Sequence, residues 1–188
     1  ETTTGPLGQG VANGVGMALA ERYLAAQYNR DDYRLVDHYT YVLCGDGDLQ
    51  EGISYEACSF AGHQGLGKLV LLYDDNRITI DGSTDLSWCE DVDARFEAMG
   101  WHAQSVDGHD REAIDAAIDE AKAVTDRPSM IRCRTHIGHG SPNKQDTSAA
   151  HGAPLGEEEI RLTKASIGWS PTQAFHVPDE SYGAFAPL

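Results

Sequence analysis

The sequence predicts an α/β protein with a doubly wound, mostly parallel sheet and helices on both faces of that sheet. Two observations carry this prediction. Segments with helical spacing alternate with short apolar segments, in the order helix, strand, helix, strand, helix, strand, helix, strand, which is typical of this class. The first two apolar segments are continuous, as in parallel strands that are buried on both faces.

The composition is that of a globular protein with one main domain. The chain has 188 residues, of which 40% are hydrophobic and 23% are charged, enough for one sizeable core. No apolar run approaches membrane-spanning length, so we predict no membrane partner. The formal charge of -16 argues against a nucleic-acid partner, whose binding needs clustered Lys and Arg. This charge also repels phosphorylated ligands. We therefore expect the positively charged groups that bind such a ligand to lie at the binding site itself or to come from another domain or chain.

The cysteines and the start of the chain indicate the compartment and the completeness of the protein. The four cysteines form no CxxC pair and lack zinc-ligand spacing, so we expect buried free thiols in a reducing, cytoplasmic compartment. The chain opens at Glu1 with neither Met nor a charged-then-apolar leader. We therefore expect a fragment, a processed piece or one part of a split enzyme.

The first predicted helix follows a turn-rich segment. Residues 2–10 (TTTGPLGQG) form this segment, and residues 11–28 have helical spacing. Gly14 and Gly16 each cost a helix about 1 kcal/mol relative to Ala, a cost more readily tolerated where another backbone comes close. The turn-rich segment is interpreted either as a helix-entry loop or as a loop whose Leu7 and backbone contact a ring of a ligand.

Two predicted strands end in polar turns. The strand at 39–44 stops at Gly45-Asp46-Gly47, and the strand at 69–73 stops at Asp74-Asp75-Asn76. A helix is predicted between them at about 51–64. Parallel strands joined by a right-handed crossover place both turns at the same edge of the sheet, where open α/β sheets bind ligands.

These two turns are interpreted as a clamp for a metal ion and a diphosphate. Neighbouring strands lie roughly 4.8 Å apart and Mg²⁺ takes oxygen ligands at about 2.1 Å, so one ion could bridge Asp46 and Asn76. Mg²⁺ keeps few carboxylates, which leaves room for phosphate oxygens, and Gly45 and Gly47 allow close backbone approach. The alternative is two ordinary structural turns. Their pairing about thirty positions apart, each after an apolar strand, favours the clamp.

The second half of the chain continues the alternation and ends in a long loop, a helix and a tail. The predicted elements are a short helix at 94–99, a strand at 101–106, a helix stopped by Pro128, a strand at 129–135 and a helix at 157–168. The loop at 136–156 is long and rich in Gly and Pro, as functional lids are, and we single out His151 in it. Most of the eight histidines are expected to face solvent. The α/β domain is predicted to span 1–168, with an extended linker at 169–188 toward a missing domain.

The motifs together resemble one enzyme family. Gly-Asp-Gly, followed about thirty residues later by a DN-type ending, resembles the thiamine diphosphate signature. The family is the transketolases, in particular their N-terminal diphosphate-binding (PP-type) domain with the thiamine diphosphate-binding fold. The matching strings occur in the family order and are ETTTGPLGQG, CGDGDLQEGISYEA, YDDNRITIDG, MGW, DGHD, IGHGSPNK and HGAPLG.

The resemblance implies thiamine diphosphate and Mg²⁺ as cofactors, with Ca²⁺ and Mn²⁺ as substitute ions. The implied metal ligands are Asp46, Asn76 and the backbone oxygen of Ile78. The implied cofactor contacts are Gly5, Pro6 and Leu7 at the thiamine rings, Ile80 at the bend of the cofactor, and Gly47, Asn76 and His151 at the diphosphate. His151 is also the implied catalytic residue, because it would reach the substrate. Many members carry a second histidine three places earlier, where this chain has Ser148.

The implied function is transfer of a two-carbon ketol unit from a ketose phosphate to an aldose phosphate, a reaction of the pentose phosphate pathway. The implied partners are sugar phosphates, a pyrimidine-binding domain and a second copy of the parent enzyme in a homodimer. We expect the isolated chain to be inactive, because that domain and the family's preceding histidine-bearing segment are missing. The alternatives are dihydroxyacetone synthase, a non-catalytic cofactor-binding subunit of a split enzyme, and a Rossmann-like domain for an unrelated phosphate ligand. Deoxyxylulose-phosphate synthase is disfavoured, because its relatives lack the TTTGPLGQG and YDDN strings.

Overall fold

The computed structural model of the protein describes residues 2–170 and 173–185. The strands in this part are β1 (Thr40–Gly45), β2 (Leu69–Asp75), β3 (Ile78–Thr79), β4 (Gly82–Ser83), β5 (His102–Asp107) and β6 (Ser129–Arg134). The α-helices are α1 (Gln9–Tyr28), α2 (Asp46–Gln50), α3 (Gly52–Gln64), α4 (Val92–Ala98), α5 (Arg111–Ala123), α6 (Glu157–Ser166) and α7 (Asp179–Ala184). Single 3-10 turns lie at Thr84–Leu86 and Ser148–Ala150.

The main sheet has the predicted parallel architecture. Its four strands lie in the order β1-β2-β6-β5, and each neighbouring pair is parallel. The short strands β3 and β4 form a separate antiparallel hairpin directly after β2. The prediction of a doubly wound parallel sheet is therefore confirmed, with β1 and β2 as neighbours.

Helices cover both faces of the sheet, as predicted. On one face, Leu69 and Leu71 of β2 belong to a core that includes buried residues of α1, α3 and α4. On the other face, Val70 packs with Ala117 and Ala121 of α5. The β1-to-β2 and β5-to-β6 crossovers run in opposite directions across the sheet, and right-handed connections of opposite direction lie on opposite faces. The order of the strands in the sheet thus explains why helices cover both of its faces.

The helix predicted from about residue 51 begins earlier and is broken. Asp46 and Gly47, expected in a turn, form the start of the short helix α2. The Asp48 carboxylate accepts the N–H of Gly45 at 3.0 Å, which caps α2 at its N-terminus. Glu51 has an extended backbone (φ -79°, ψ 137°) and separates α2 from α3. The turn chemistry of Gly-Asp-Gly was therefore outweighed by the side-chain cap at Asp48.

The two glycines of α1 have different surroundings. A Cβ on Gly14 would lie 2.2 Å from Cγ2 of Val42 in β1, so the helix approaches the strand closely there. The approach is to a side chain rather than to the predicted backbone. Apart from its chain neighbours and the nearby backbone of α1 itself, no atom in the described part of the chain lies within 4 Å of a Cβ placed on Gly16. The expectation of a close backbone is therefore wrong at Gly14, where the nearest atoms belong to a side chain, and also wrong at Gly16.

The segment after Trp169 is not extended throughout. Its described part contains α7, with Pro178 at the N-cap and Asp179 and Glu180 in the first turn. Acidic residues in the first turn stabilise a helix by interacting with the positive end of its dipole. This signal for a helix was present in the sequence. Residues 171, 172 and 186–188 of the predicted linker lie outside the described residues. The division into a domain at 1–168 and a linker stays a prediction.

No helix among the described residues combines the length and the apolar composition needed to cross a bilayer.

Candidate functional site

The carboxyl ends of β1 and β2 lie side by side. Gly45 of β1 is opposite Asp74 of β2, so the two polar turns begin next to each other, as predicted. The backbone N–H of Arg77 donates to Asp46 Oδ2 at 3.1 Å. Residues 76–78 therefore lie against the Asp46 carboxylate. The structure brings the three residues implied as metal ligands to one place, and their role as ligands stays a prediction.

The Asp46 carboxylate is buried and lies among other acids. Its residue is only 4% exposed, and Oδ1 accepts the hydroxyl of Tyr73. Burial raises the pKa of Asp46 to about 6; the hydrogen bond from Tyr73 opposes this rise, and the negative charge of Asp75 adds to it. A cation at this position would favour the ionised carboxylate. The acidic, buried environment of Asp46 thus fits a bound metal ion.

The backbone after β2 is shaped to present oxygen atoms. Asn76 Oδ1 accepts the N–H of Ile78 at 3.0 Å, and its amide nitrogen donates to Asp74 at 2.9 Å, so the orientation of the amide is set. Arg77 has φ 63°, a left-handed conformation that is uncommon for a residue other than Gly and concentrates at functional sites. An amide oxygen has two lone pairs, so Asn76 Oδ1 retains one for a ligand.

The candidate ligands match the chemistry of Mg²⁺, which prefers a few oxygen atoms and keeps water or phosphate in its other positions. They comprise a single carboxylate, one amide oxygen and one backbone carbonyl. No group of three or more His, Cys, Asp or Glu side chains within 2–170 and 173–185 is placed to hold a metal. The candidate site differs from such a cluster, because it has one carboxylate and would need the oxygens of a diphosphate to complete the coordination of the metal.

Asp48 joins the glycine-rich loop to the first polar turn. Its Oδ1 accepts the N–H of Gly8 at 2.8 Å, while Oδ2 accepts the N–H of Gly45. Leu7, which is 54% exposed, lies over Gly47, because a Cβ on Gly47 would be 3.2 Å from Leu7 Cδ1. The predicted contacts Leu7 and Gly47 are therefore adjacent. Sequence reasoning missed Asp48, because Gly-x-x-Asp lacks the Ser or Thr that begins the usual capping-box signature.

The other predicted cofactor contacts lie on exposed segments. Gly5 and Pro6 precede α1 and are exposed, and the Pro6 carbonyl accepts the N–H of Gln9 at 3.3 Å. Ile80 lies in the turn between β3 and β4 and is 71% exposed. An apolar side chain this exposed is available to contact a ligand, and the role of each of these residues stays a prediction.

His151 lies in the long loop, at the end of a 3-10 turn. Its N–H donates to the carbonyl of Ser148 at 3.0 Å, and its side chain is exposed. Among the described residues, no hydrogen bond joins its ring to Asp46 or Asn76. The structure does not connect His151 to the clamp, so its catalytic and cofactor-binding roles stay predictions.

The long loop is anchored to α6 through Glu159. This carboxylate is 8% exposed and accepts the Ser141 hydroxyl, with two further bonds of 2.9 Å from the N–H and side-chain amide of Asn143. Lys144 Nζ donates to the carbonyl of Leu155 at 2.9 Å. The hydrogen bonds from Ser141 and Asn143 lower the pKa of Glu159 to about 2. The first part of the loop is therefore tied to α6 and to the loop's own last residues.

Replacing Glu159 with glutamine is expected to lower the melting temperature of the chain by an amount that depends on pH. The folded pKa of about 2 lies below the ordinary value of 4.5. The carboxylate therefore contributes stability that is fully present above pH 4.5 and is lost as the pH falls toward 2. Thermal unfolding at several pH values should show the difference between wild type and Glu159→Gln narrowing as the pH is lowered through this range.

The matched control is Glu158→Gln on the same turn of α6. Glu158 is exposed and pairs with Arg161 at 2.6 Å, and surface pairs of this kind contribute little to stability. We expect a smaller change in melting temperature at every pH. A Glu159→Gln difference that stays constant across the acid range would contradict the assigned hydrogen-bond network.

Three histidines stack where β5 and β6 end, next to the clamp edge. The ring centroid of His109 lies 4.0 Å from that of His139 and 5.7 Å from that of His136. The His136 N–H donates to His109 Nε2 at 3.0 Å, and the His136 ring bonds to Asp146 at 2.9 Å. All three side chains are exposed, as expected, but their stacking was not predicted. The DGHD and IGHG strings directly after the strands were the available signal.

Comparisons with known proteins show the family to which the chain belongs. Residues 1–187 match the family described as "Transketolase, thiamine diphosphate binding domain". The chain belongs to this transketolase family. The match covers the polar strand ends, the glycine-rich loop and the long loop that together form the candidate site.

Relatives and solved structures support the family assignment. The chain is 60% identical to a transketolase of Nostoc sp. over 182 residues, which are 96% of this chain and 27% of that protein. It is 56% identical to transketolase 1 of Escherichia coli over 183 residues, 97% of this chain and 28% of that protein. The structure of transketolase from Leishmania mexicana superposes with a TM-score of 0.94 at 51% identity, covering 98% of this chain and 28% of that one. The chain thus spans about a quarter of the length of these transketolases.

Proposed function

We propose that this chain is the diphosphate-binding part of a transketolase that transfers a two-carbon ketol unit from a ketose phosphate to an aldose phosphate. The observation that carries the proposal is the contact of residues 76–78 with the buried Asp46 carboxylate, through the hydrogen bond from the Arg77 N–H. It supports a metal site at the edge of the sheet where α/β domains bind ligands. Membership in the transketolase family supports the choice of ligand.

The residues of the chain bind and orient the cofactor. Asp46, Asn76 Oδ1 and the Ile78 carbonyl would hold Mg²⁺, with Ca²⁺ or Mn²⁺ as substitutes. The backbone at Gly47, which has no Cβ, would let the diphosphate approach, assisted by Asn76. The remaining contacts would be Gly5, Pro6, Leu7 and Ile80 at the rings and His151 at the diphosphate and substrate. When bound, thiamine diphosphate supplies the electron sink for the two-carbon transfer, and the protein supplies orientation and electrostatics.

The rest of the enzyme would complete the site. The formal charge of -16 disfavours a sugar phosphate near this chain alone, so cationic groups for the substrate would come from the pyrimidine-binding domain. We propose a cytoplasmic homodimer of the parent protein that acts in the pentose phosphate pathway. An imidazole can donate a hydrogen bond to an anionic or hydroxyl oxygen, which is the chemistry proposed for His151.

The test is an assay of ketol transfer by the full-length protein and by the 188-residue chain alone. We expect the full-length protein to transfer the two-carbon unit when both thiamine diphosphate and Mg²⁺ are present. The chain alone should be inactive, because its parts of the site cannot hold and activate both substrate and cofactor. Turnover by the isolated chain would contradict the proposed division of roles, and failure of the full-length protein to use sugar phosphates would contradict the assigned reaction.

A further inference from the structure

Tyr73 connects the core of the sheet to the Asp46 carboxylate. It lies in β2, and only 2% of its surface is exposed. Its hydroxyl donates to Asp46 Oδ1 across 27 positions of sequence. The ring is held from the side by Trp88, with ring centroids 6.3 Å apart at an interplanar angle of 59°. A buried phenol is thus fixed against a buried carboxylate.

The two oxygens of Asp46 receive donors from two different sources. Oδ1 accepts the Tyr73 hydroxyl, and Oδ2 accepts the backbone N–H of Arg77 at 3.1 Å. A carboxylate held at both oxygens has a set rotation about its Cβ–Cγ bond. Each carboxylate oxygen has about two lone-pair sites, so both oxygens can still accept a further ligand. The arrangement orients the carboxylate without using up its capacity to bind.

The neutrality of the donors matters for a cation site. A Lys or Arg at the position of Tyr73 would also orient the carboxylate, but its positive charge would repel a bound cation at short range. A phenol supplies a hydrogen bond without that repulsion. The guanidinium of Arg77 instead lies 3.7 Å from Asp75 and is largely exposed. Both donors to Asp46 are therefore uncharged groups, which suits an occupant with positive charge.

We propose that Tyr73 is a positioning residue for the metal site and acts through Asp46. The inference rests on the proposed function, in which Asp46 is a metal ligand. Hydrogen-bond partners of metal ligands fix ligand geometry, and their removal typically weakens metal binding by about 10–100-fold. The competing explanation is that Tyr73 only fills the core beside Trp88, a role that its aromatic ring alone can perform.

The test compares Mn²⁺ binding by the full-length protein and its Tyr73→Phe variant, with thiamine diphosphate at saturating concentration. Mn²⁺ is the probe because free and bound ions are distinguished by electron paramagnetic resonance. We expect the dissociation constant to rise by about 10–100-fold, while the phenylalanine ring preserves the packing. The matched control is Tyr39→Phe, which removes a hydroxyl that donates to the Lys122 carbonyl at 3.2 Å, on the face covered by α5. Its Mn²⁺ affinity should not change.

Two further variants separate this inference from the proposed function. If Asp46→Ala binds Mn²⁺ as tightly as wild type, the proposed metal site is wrong. If Asp46→Ala weakens binding but Tyr73→Phe does not, only the role of Tyr73 is wrong. In the double variant, Tyr73→Phe should add no further loss, because it acts through the carboxylate that Asp46→Ala has already removed. An additional loss of the full size would show that Tyr73 acts by another route and would overturn the inference. The rise in melting temperature that saturating Mn²⁺ causes gives a second readout, and it should be smaller for Tyr73→Phe than for Tyr39→Phe.

Discussion

Replacing Asp46 with alanine is expected to abolish the Mg²⁺-dependent binding of thiamine diphosphate by the full-length protein. Asp46 is the only carboxylate among the proposed ligands, and it lies buried beneath the segment that carries the other two. Losing a hydrogen-bond partner of a ligand already costs about 10–100-fold in metal affinity, so losing the ligand itself should cost more than about 100-fold. Calorimetric titration with the cofactor, with and without Mg²⁺, measures this loss.

The control for this experiment is Asp115→Ala, which removes an exposed carboxylate from α5. It changes the net charge by the same amount and leaves the strand ends untouched. Its binding should match that of the wild type. Undiminished binding by the Asp46→Ala protein would refute the clamp, whatever the similarity of the sequence to transketolases.

Replacing Gly62 in α3 with alanine is expected to destabilise the fold. A Cβ on Gly62 would lie 1.8 Å from the backbone oxygen of Met99, in the turn between α4 and β5. The backbone at Met99 cannot rotate away from the new methyl group as a flexible side chain could. Either α3 or the turn between α4 and β5 must therefore move. Overpacking of this kind costs about 1–3 kcal/mol, occasionally more, which exceeds the gain of about 1 kcal/mol in helix propensity. Urea unfolding of the 188-residue chain measures the change.

Gly16→Ala is the matched control, since Gly16 also lies inside a helix. Outside its chain neighbours and the nearby backbone of α1, its added methyl group would meet no atom of the described residues within 4 Å, so we expect the free energy of unfolding to rise by up to about 1 kcal/mol. The two substitutions should thus have opposite signs. Equal effects would mean that α3 does not pack against the α4-to-β5 turn as closely as described.

The outline of the fold and the place of the site could be predicted from local patterns. Continuous apolar segments that end in Gly-Asp-Gly and Asp-Asp-Asn indicated buried parallel strands with polar groups at one edge, and the register of β1 with β2 confirmed it. The start of α2 at Asp46 was missed, because the cap at Asp48 outweighed the turn preference of the glycines. The helix α7 was missed, because its proline and polar residues resembled those of a linker.

The sequence by itself determined the class of the fold, the edge of the sheet that carries the site and the oxygen chemistry of the candidate ligands. These features depend on the order and spacing of residues within single segments, and such local patterns can be read along the chain. Only the tertiary structure decided that Tyr73 and Arg77 hold the two oxygens of Asp46 and that three histidines stack beside the clamp. It also decided that Asp48, which accepts the N–H of nearby Gly45, accepts that of Gly8 across 40 positions. Those contacts depend on how helices and strand ends pack around the sheet, and no pattern within one segment specifies which distant side chain meets which.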